Sequence, residues 1–124
     1  MPWLTVRENL TLVGATSNEV LQLLERVGLH GDQDKFPRQL SGGMQRRVAL
    51  ARVLVMKPRL LLMDEPFASL DAGTAQSCRQ LLLNCWRELG TAVLFVTHNQ
   101  QEAEQLGQRQ LSLRGQPAEL FAQD

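Results

Sequence analysis

The 124 residues show no excess of either charge, no long hydrophobic run and only two cysteines. Lys+Arg and Asp+Glu stand at 13 each, so the overall field exerts no strong pull toward nucleic acid or acidic lipid. The basic residues Lys35, Arg38, Arg46, Arg47, Arg52, Lys57 and Arg59 do run without an intervening acid. They lack the series of interleaved aromatic side chains on which bases stack, and phosphate or interface chemistry accounts for them better than nucleic acid. No stretch is long enough to cross a bilayer and none has the pattern of a signal peptide, so any membrane crossing is expected of a partner. Cys78 and Cys85 lie seven apart in a predicted helix, a spacing that suits reduced core thiols better than a disulfide or ligand pair. The length allows one domain with a modest core, burying about two-thirds of the unfolded surface if normally compact.

What is present gathers in two stretches. Leu40-Ser41-Gly42-Gly43-Met44-Gln45-Arg46-Arg47 sets a serine and a glycine pair at the opening of a helix. Glycines allow backbone N–H groups close to a phosphate, the serine hydroxyl adds a donor, and the helix start adds unpaired N–H groups and its dipole. The same residues also make a plain helix start, and the stretch alone leaves both options open. One helix length later, Leu60-Leu61-Leu62-Met63 is an uncharged run that suits a parallel strand buried on both faces, and it ends in Asp64-Glu65-Pro66. Open parallel sheets carry their chemistry beyond the carboxyl ends of their strands. Two acids there can divide labour, Asp64 holding Mg²⁺ directly or through water and Glu65 activating a water; a solvated strand end is the bland alternative.

Helical periodicity joins these stretches. Val6 to Val13 predicts a short helix around Leu10, Thr16 to Glu19 is a capping-box pattern, and Val20, Leu24 and Val27 share a face that Gly28 closes. Met44, Val48, Ala51 and Val55, widened by Leu50 and Leu54, recur at helical spacing until Lys57-Pro58. Asp71 can cap a helix from Ala72 to Leu89 that carries Ala75, Cys78, Leu82, Cys85 and Leu89 and ends at Gly90. A second uncharged run, Thr91 to Thr97, predicts another central parallel strand with His98 at its end, where a lone histidine is otherwise structural or solvent-facing. Gln100 to Leu106 predicts a short helix with Glu102 and Glu104 on exposed sides. Arg109 to Leu113 alternates like an edge strand, Gly115 predicts a turn, and Pro117 to Phe121 one helical turn.

These motifs together resemble the ATP-binding cassette (ABC) family of transport ATPases. LSGGMQRR is similar to its signature motif, LLLMDEP to its Walker B strand with the catalytic glutamate, Ser69-Leu70-Asp71 to its D-loop, and Thr97-His98 to its switch histidine. Order and spacing agree, and the resemblance covers essentially the whole chain. It implies an α/β fold of P-loop NTPase type, with a parallel sheet core and part of a helical subdomain. Residues 1–124 would be a partial nucleotide-binding domain, 1–56 the helical subdomain and signature helix, and 57–124 the Walker B to switch-histidine part of the core. It further implies ATP and Mg²⁺ as cofactors, Glu65 and His98 as catalytic residues, and Asp64 as metal ligand. Ser41, Gly42, Gly43, Gln45, Asp64 and Asp71 would be nucleotide contacts, those of the signature reaching ATP held by the opposite subunit of a head-to-tail homodimer or paralogous pair. Transmembrane permease subunits would be the other partners, with Trp3, Val6 and Asn9 near the docking site, and the location the cytoplasmic face of the inner or plasma membrane.

The chain departs from the family at several points. No G-x-x-x-x-G-K-[ST] occurs, and Met1 to Asn9 resembles the segment just after the Q-loop, as expected of the carboxyl-terminal part of a cassette. Asn99 follows the histidine where the family often has Asp, which keeps the capping ability and loses the charge. With neighbouring strands lacking, the two apolar strands are expected to leave apolar surface or unpaired edges. Three classes of function fit: the ATPase subunit of an importer, with an opening similar to subunits for nitrate, sulfonate or taurine; a non-hydrolysing interaction or regulatory fragment that docks to transporter subunits; and a cassette protein of repair or translation. The last typically has long insertions and tandem cassettes, which this chain lacks.

Overall fold

Two threonines set the geometry of the amino-terminal helices. In this computed structural model, which describes residues 1–114 and 119–123, α1 (Val6–Leu12) and α2 (Ser17–Arg26) both begin with capping boxes. Thr5 accepts from the Glu8 N–H and its own N–H donates to Glu8 Oε2 at 2.7 Å; Thr16 and Glu19 repeat the arrangement, again with a 2.7 Å bond. Each box satisfies two otherwise orphaned donors. Gly28 ends α2 at a φ of 73°, as its place after Val27 predicts.

After a short 3₁₀ turn (Pro37–Gln39), α3 (Gly42–Met56) starts at the Ser41 N-cap and stops at Lys57, whose left-handed φ of 45° precedes Pro58. Its apolar residues divide between two clusters. Val48, Ala51 and Leu54 pack with Val6, Leu10, Val20, Leu24 and Val27; Leu50 packs with Phe67, Ala75, Cys78 and Leu82. α3 therefore forms a wall shared by the helical part and the sheet part. The long helix α4 (Ala72–Leu89) does the same, placing Cys78 in one cluster and Cys85 in the other. Both cysteines are free and buried, and burial pushes the Cys85 thiol up, away from the reactive thiolate.

The strands β1 (Leu60–Asp64) and β2 (Ala92–Val96) pair in parallel, Leu60 opposite Ala92 and Asp64 opposite Val96, with α4 as the crossover. One expectation fails here. Leu61, Met63 and Phe95 pack toward the cluster beneath α4, yet Leu60, Leu62, Leu94 and Val96 are each 55–65% exposed. The described residues cover only one face of the sheet, so the uncharged runs are not buried on both sides. Bare apolar surface beside the strands is as anticipated for a sheet with few neighbours.

Beyond β2, α5 (Gln100–Leu106) is capped by Asn99, whose Oδ1 accepts from the Glu102 N–H at 3.2 Å. β3 (Gln110–Arg114) and β4 (Glu119–Gln123) form an antiparallel pair, Gln110 opposite Gln123 and Arg114 opposite Glu119. The helical turn expected over 117–121 is thus overturned at Glu119 to Phe121, where pairing with β3 supplies the backbone partners that one isolated turn lacks. The expected turn at Gly115, with Pro117 and Ala118, lies outside the described residues. The resulting architecture is α/β with a parallel core and helices packed on one side of it. No helix among the described residues is long and apolar enough to cross a membrane.

Candidate functional site

The carboxyl ends of β1 and β2 lie side by side, so their next residues meet. Glu65 continues the ladder by donating its N–H to Val96 O at 2.8 Å, then turns sharply, with a φ of 45°. That left-handed conformation costs a non-glycine residue about 1–2 kcal/mol and aims the side chain across the strand ends. Glu65 Oε1 accepts the His98 backbone N–H at 2.9 Å and lies 3.4 Å from His98 Nε2. The imidazole is 96% exposed while the carboxylate is 31% exposed, so the histidine projects outward from a partly sheltered acid. An open cavity of about 590 Å³ beside them is lined by Glu65, Leu70, Arg79, His98 and Glu102, among others. The structure thus brings together two residues 33 apart in sequence at a place suited to holding and deprotonating a water.

Asp64 is the last residue of β1 and is exposed. Among the described residues no group of three or more His, Cys, Asp or Glu is placed to hold a metal by itself. Mg²⁺ keeps several waters and needs only one or two carboxylates when phosphate oxygens complete its shell. Asp64 has the donor chemistry for an ion whose shell waters and phosphate oxygens would complete.

The signature residues form a second group. Ser41 Oγ accepts from the Met44 N–H at 3.2 Å, leaving its hydroxyl hydrogen free to donate outward from the helix start. Gly42 and Gly43 are already within α3 and neither has a positive φ, so their conformational freedom is not what the turn requires. Space is. A Cβ on Gly43 would lie 2.3 Å from Thr74 Cγ2, and one on Gly42 3.2 Å from Leu70 Cδ2. The glycine pair lets α3 meet the start of α4 closely, with the exposed Ser41 and Gly42 beside the Leu70-Asp71 segment. Gln45, itself exposed, reaches back to the segment before α3, both amide hydrogens donating to backbone carbonyls, Pro37 O at 2.9 Å and Leu40 O at 3.3 Å. Asp71 caps α4, with Oδ2 accepting the Thr74 N–H at 3.0 Å and Oδ1 the Thr74 hydroxyl at 2.6 Å. The hydroxyl bond, followed by the backbone one, holds its carboxyl below the ordinary value.

Two expectations are corrected near these groups. Val6 is fully buried and Asn9 is 2% exposed, its amide donating to Met1 O, Leu4 O and Thr5 O; of the three docking candidates only Trp3, 69% exposed, presents a side chain. Glu102, expected on an exposed side of α5, is 6% exposed. Its Oε2 accepts the Thr97 hydroxyl at 2.7 Å and its Oε1 faces Arg79 Nη1 at 3.3 Å. Asn99 and Glu102 stand at capping-box spacing, but the carboxylate turns away from the helix start because Arg79 and Thr97 claim it. The spacing marks Glu102 as part of the cap; its inward charge partner sits 23 residues earlier in sequence.

A parallel sheet with an acid and a histidine at adjacent strand ends, and a serine-glycine helix start packed against the next helix, defines the sheet and signature portions of an ABC-type ATPase. Residues 1–68 match the ABC transporter family, and the chain belongs to that family. It is 44% identical over 128 residues to an ABC transporter ATP-binding protein of Methanocaldococcus jannaschii, covering 97% of this chain and 48% of that protein. It is 40% identical over 124 residues to an aliphatic sulfonates import ATP-binding protein of Bacillus subtilis, covering 96% of this chain and 49% of the relative. A taurine import ATP-binding protein of Yersinia pestis is 42% identical over 128 residues, with 97% and 50% covered. The chain therefore spans about half the length of the curated relatives it matches. A solved metal-chelate type ABC transporter in an inward-facing conformation superposes with a TM-score of 0.80 at 21% identity, over 96% of this chain and 52% of that one, a likeness of fold.

Proposed function

We propose that this chain is the signature and Walker B part of an ATPase subunit that energises import of small anions of the sulfonate and taurine kind. The observation that carries the proposal is the contact of Glu65 with His98 across the ends of two parallel strands. Glu65 accepts a proton from an attacking water, and His98, outermost of the two, hydrogen-bonds the terminal phosphate and the same water. Asp64 would hold Mg²⁺, which would supply positive charge against the phosphates. Ser41 and Gly42 face a phosphate carried by an opposing subunit, Gly43 lets the helix start sit close against α4, Gln45 shapes the loop that presents them, and Asp71 caps α4 at that contact. Residues 1–56 act as the helical, permease-facing part and residues 57–124 as the chemical part. The partners are a second ATPase subunit, head to tail, and transmembrane permease subunits, with the assembly peripheral on the cytoplasmic face of the membrane. Support comes from the sulfonate and taurine relatives, which are 40–42% identical to this chain.

A second reading, a non-hydrolysing fragment that docks to transporter subunits, is favoured by one observation: the bare face formed by Leu60, Leu62, Leu94 and Val96. Glu65→Gln separates the two. In a complete cassette carrying this chain it retains ATP binding and loses turnover by about 10²-fold or more, because a carboxamide cannot take the proton. Near-normal phosphate release by that variant refutes Glu65 as the base, and no phosphate release from the unsubstituted cassette leaves the docking role.

A further inference from the structure

We infer that Arg79, Glu102 and Thr97 form a positioning clamp that sets the distance between Glu65 and His98, an inference that rests on the hydrolytic role proposed above. Three elements converge on one ion pair. Arg79 projects from α4 and its guanidinium carbon lies 5.8 Å from the centroid of the Phe67 ring, two residues beyond Glu65. The same guanidinium faces Glu102 Oε1 at 3.3 Å, and both side chains are sheltered, 18% and 8% exposed. Glu102 Oε2 takes the hydroxyl of Thr97, the residue just before His98, at 2.7 Å. Thr97 Oγ1 in turn accepts the Asn99 N–H at 3.0 Å, and Asn99 Oδ1 accepts the Glu102 N–H at 3.2 Å. The residues flanking His98 are thereby tied into a closed ring of hydrogen bonds through 97, 99 and 102, while the His98 N–H reaches Glu65.

The chemistry explains why a buried charge is kept here. A sheltered carboxylate is costly unless paired and fully hydrogen-bonded, and a hydrophobic group of similar size would stabilise a simple helix contact as well or better. What the ion pair adds is direction. Phe67 leads back along the loop to Glu65, Thr97 leads directly to His98, and Arg79 joins them from a rigid helix that belongs to neither loop. None of the three reaches the strand-end pair itself, so they act by holding His98 against Glu65 and not on the water.

The test measures single-turnover hydrolysis in a complete cassette carrying this chain, for Thr97→Val, Glu102→Gln and His98→Ala, singly and with His98→Ala combined with each clamp variant. Thr97→Val is nearly isosteric and remains informative if Glu102→Gln fails to fold. The clamp predicts a rate lower by on the order of 10- to 100-fold for either clamp variant, as for a misplacement of about 1 Å, with ATP affinity changed by less than about threefold. It also predicts no further loss when either is added to His98→Ala, because the clamp works through that residue. A readout free of turnover accompanies this: in the nucleotide-free protein, Thr97→Val speeds hydrogen exchange at the His98 amide while amides of α4 such as Leu82 keep their protection. Wild-type hydrolysis by His98→Ala refutes the catalytic role of the histidine. A slow His98→Ala beside fast clamp variants, multiplicative losses in the combined variants, or unaltered exchange at His98 overturns the clamp alone.

Discussion

Gly43→Ala is expected to destabilise the chain even though alanine is the better helix former. The added Cβ would lie 2.3 Å from Thr74 Cγ2, against an ordinary carbon–carbon contact of roughly 3.5–4.0 Å. α3 and α4 must therefore separate by more than about 1 Å, or Thr74 must rotate. Rotation breaks the 2.6 Å bond from the Thr74 hydroxyl to Asp71 Oδ1, worth about 1 kcal/mol net. Separation opens the contact between two helices that carry both clusters, and overpacking of this kind costs about 1–3 kcal/mol. Helix propensity returns at most about 1 kcal/mol, and less in a first turn. A net loss of about 1–2 kcal/mol follows from these opposing effects. Urea unfolding followed by the fluorescence of Trp86, whose indole N–H donates to Thr91 O, reads it as a lower midpoint at unchanged slope. Thr74→Ser removes Cγ2 and keeps the hydroxyl, so Gly43→Ala with Thr74→Ser recovers most of the loss relative to Thr74→Ser alone. An undiminished midpoint for Gly43→Ala, or no recovery in the pair, refutes close helix packing as the reason for this glycine.

Calorimetric titration of the 124 residues alone with MgATP is expected to show no binding of ordinary cassette strength, because the chain contains no Gly-Lys-Ser/Thr loop to grip the β- and γ-phosphates; micromolar binding with turnover abolished by Glu65→Gln contradicts this. Acid should weaken the helix caps: backbone bonds from Thr5 and Thr16 hold Glu8 and Glu19 below their ordinary values, as the Thr74 hydroxyl does for Asp71. Depressed carboxyls contribute stability that is present above their unfolded values and lost as pH falls through the folded ones, so Tm declines at the acid end of the carboxylate range. Glu8→Gln with Glu19→Gln shrinks that decline, and an unchanged decline refutes the caps as its source.

Local chemistry made the helices readable. Thr16 and Glu19, Asp71, Gly28 and Gly90 mark ends through short-range bonds or backbone conformation, and each lies where its residue type predicts. The strand-end acid and histidine were equally legible, since uncharged runs of strand length followed by polar residues point to one edge of a parallel sheet. Burial was not. Leu60 and Leu62 have the composition of a strand enclosed on both faces, and composition does not register which neighbours the chain itself provides. Glu102 departs from its sequence pattern for a related reason: helical spacing assigns it an exposed side of α5, whereas Arg79 and Thr97 draw it inward through contacts that spacing does not encode. At Glu119 to Phe121 the short-range preference for a turn yields to pairing with β3.

The central claim, that Glu65 of one subunit and Ser41 of another serve the same nucleotide, is tested most directly by mixing two inactive cassettes. One carries Glu65→Gln, the other Ser41→Arg, whose bulk would block the helix start proposed to face the partner's phosphate. In a head-to-tail pair both substitutions fall in one site and the second site keeps a native Glu65 and a native Ser41. Phosphate release should therefore be absent from each cassette alone and return when they are mixed and paired. Mixed dimers that form, bind ATP and still release no phosphate would contradict the account.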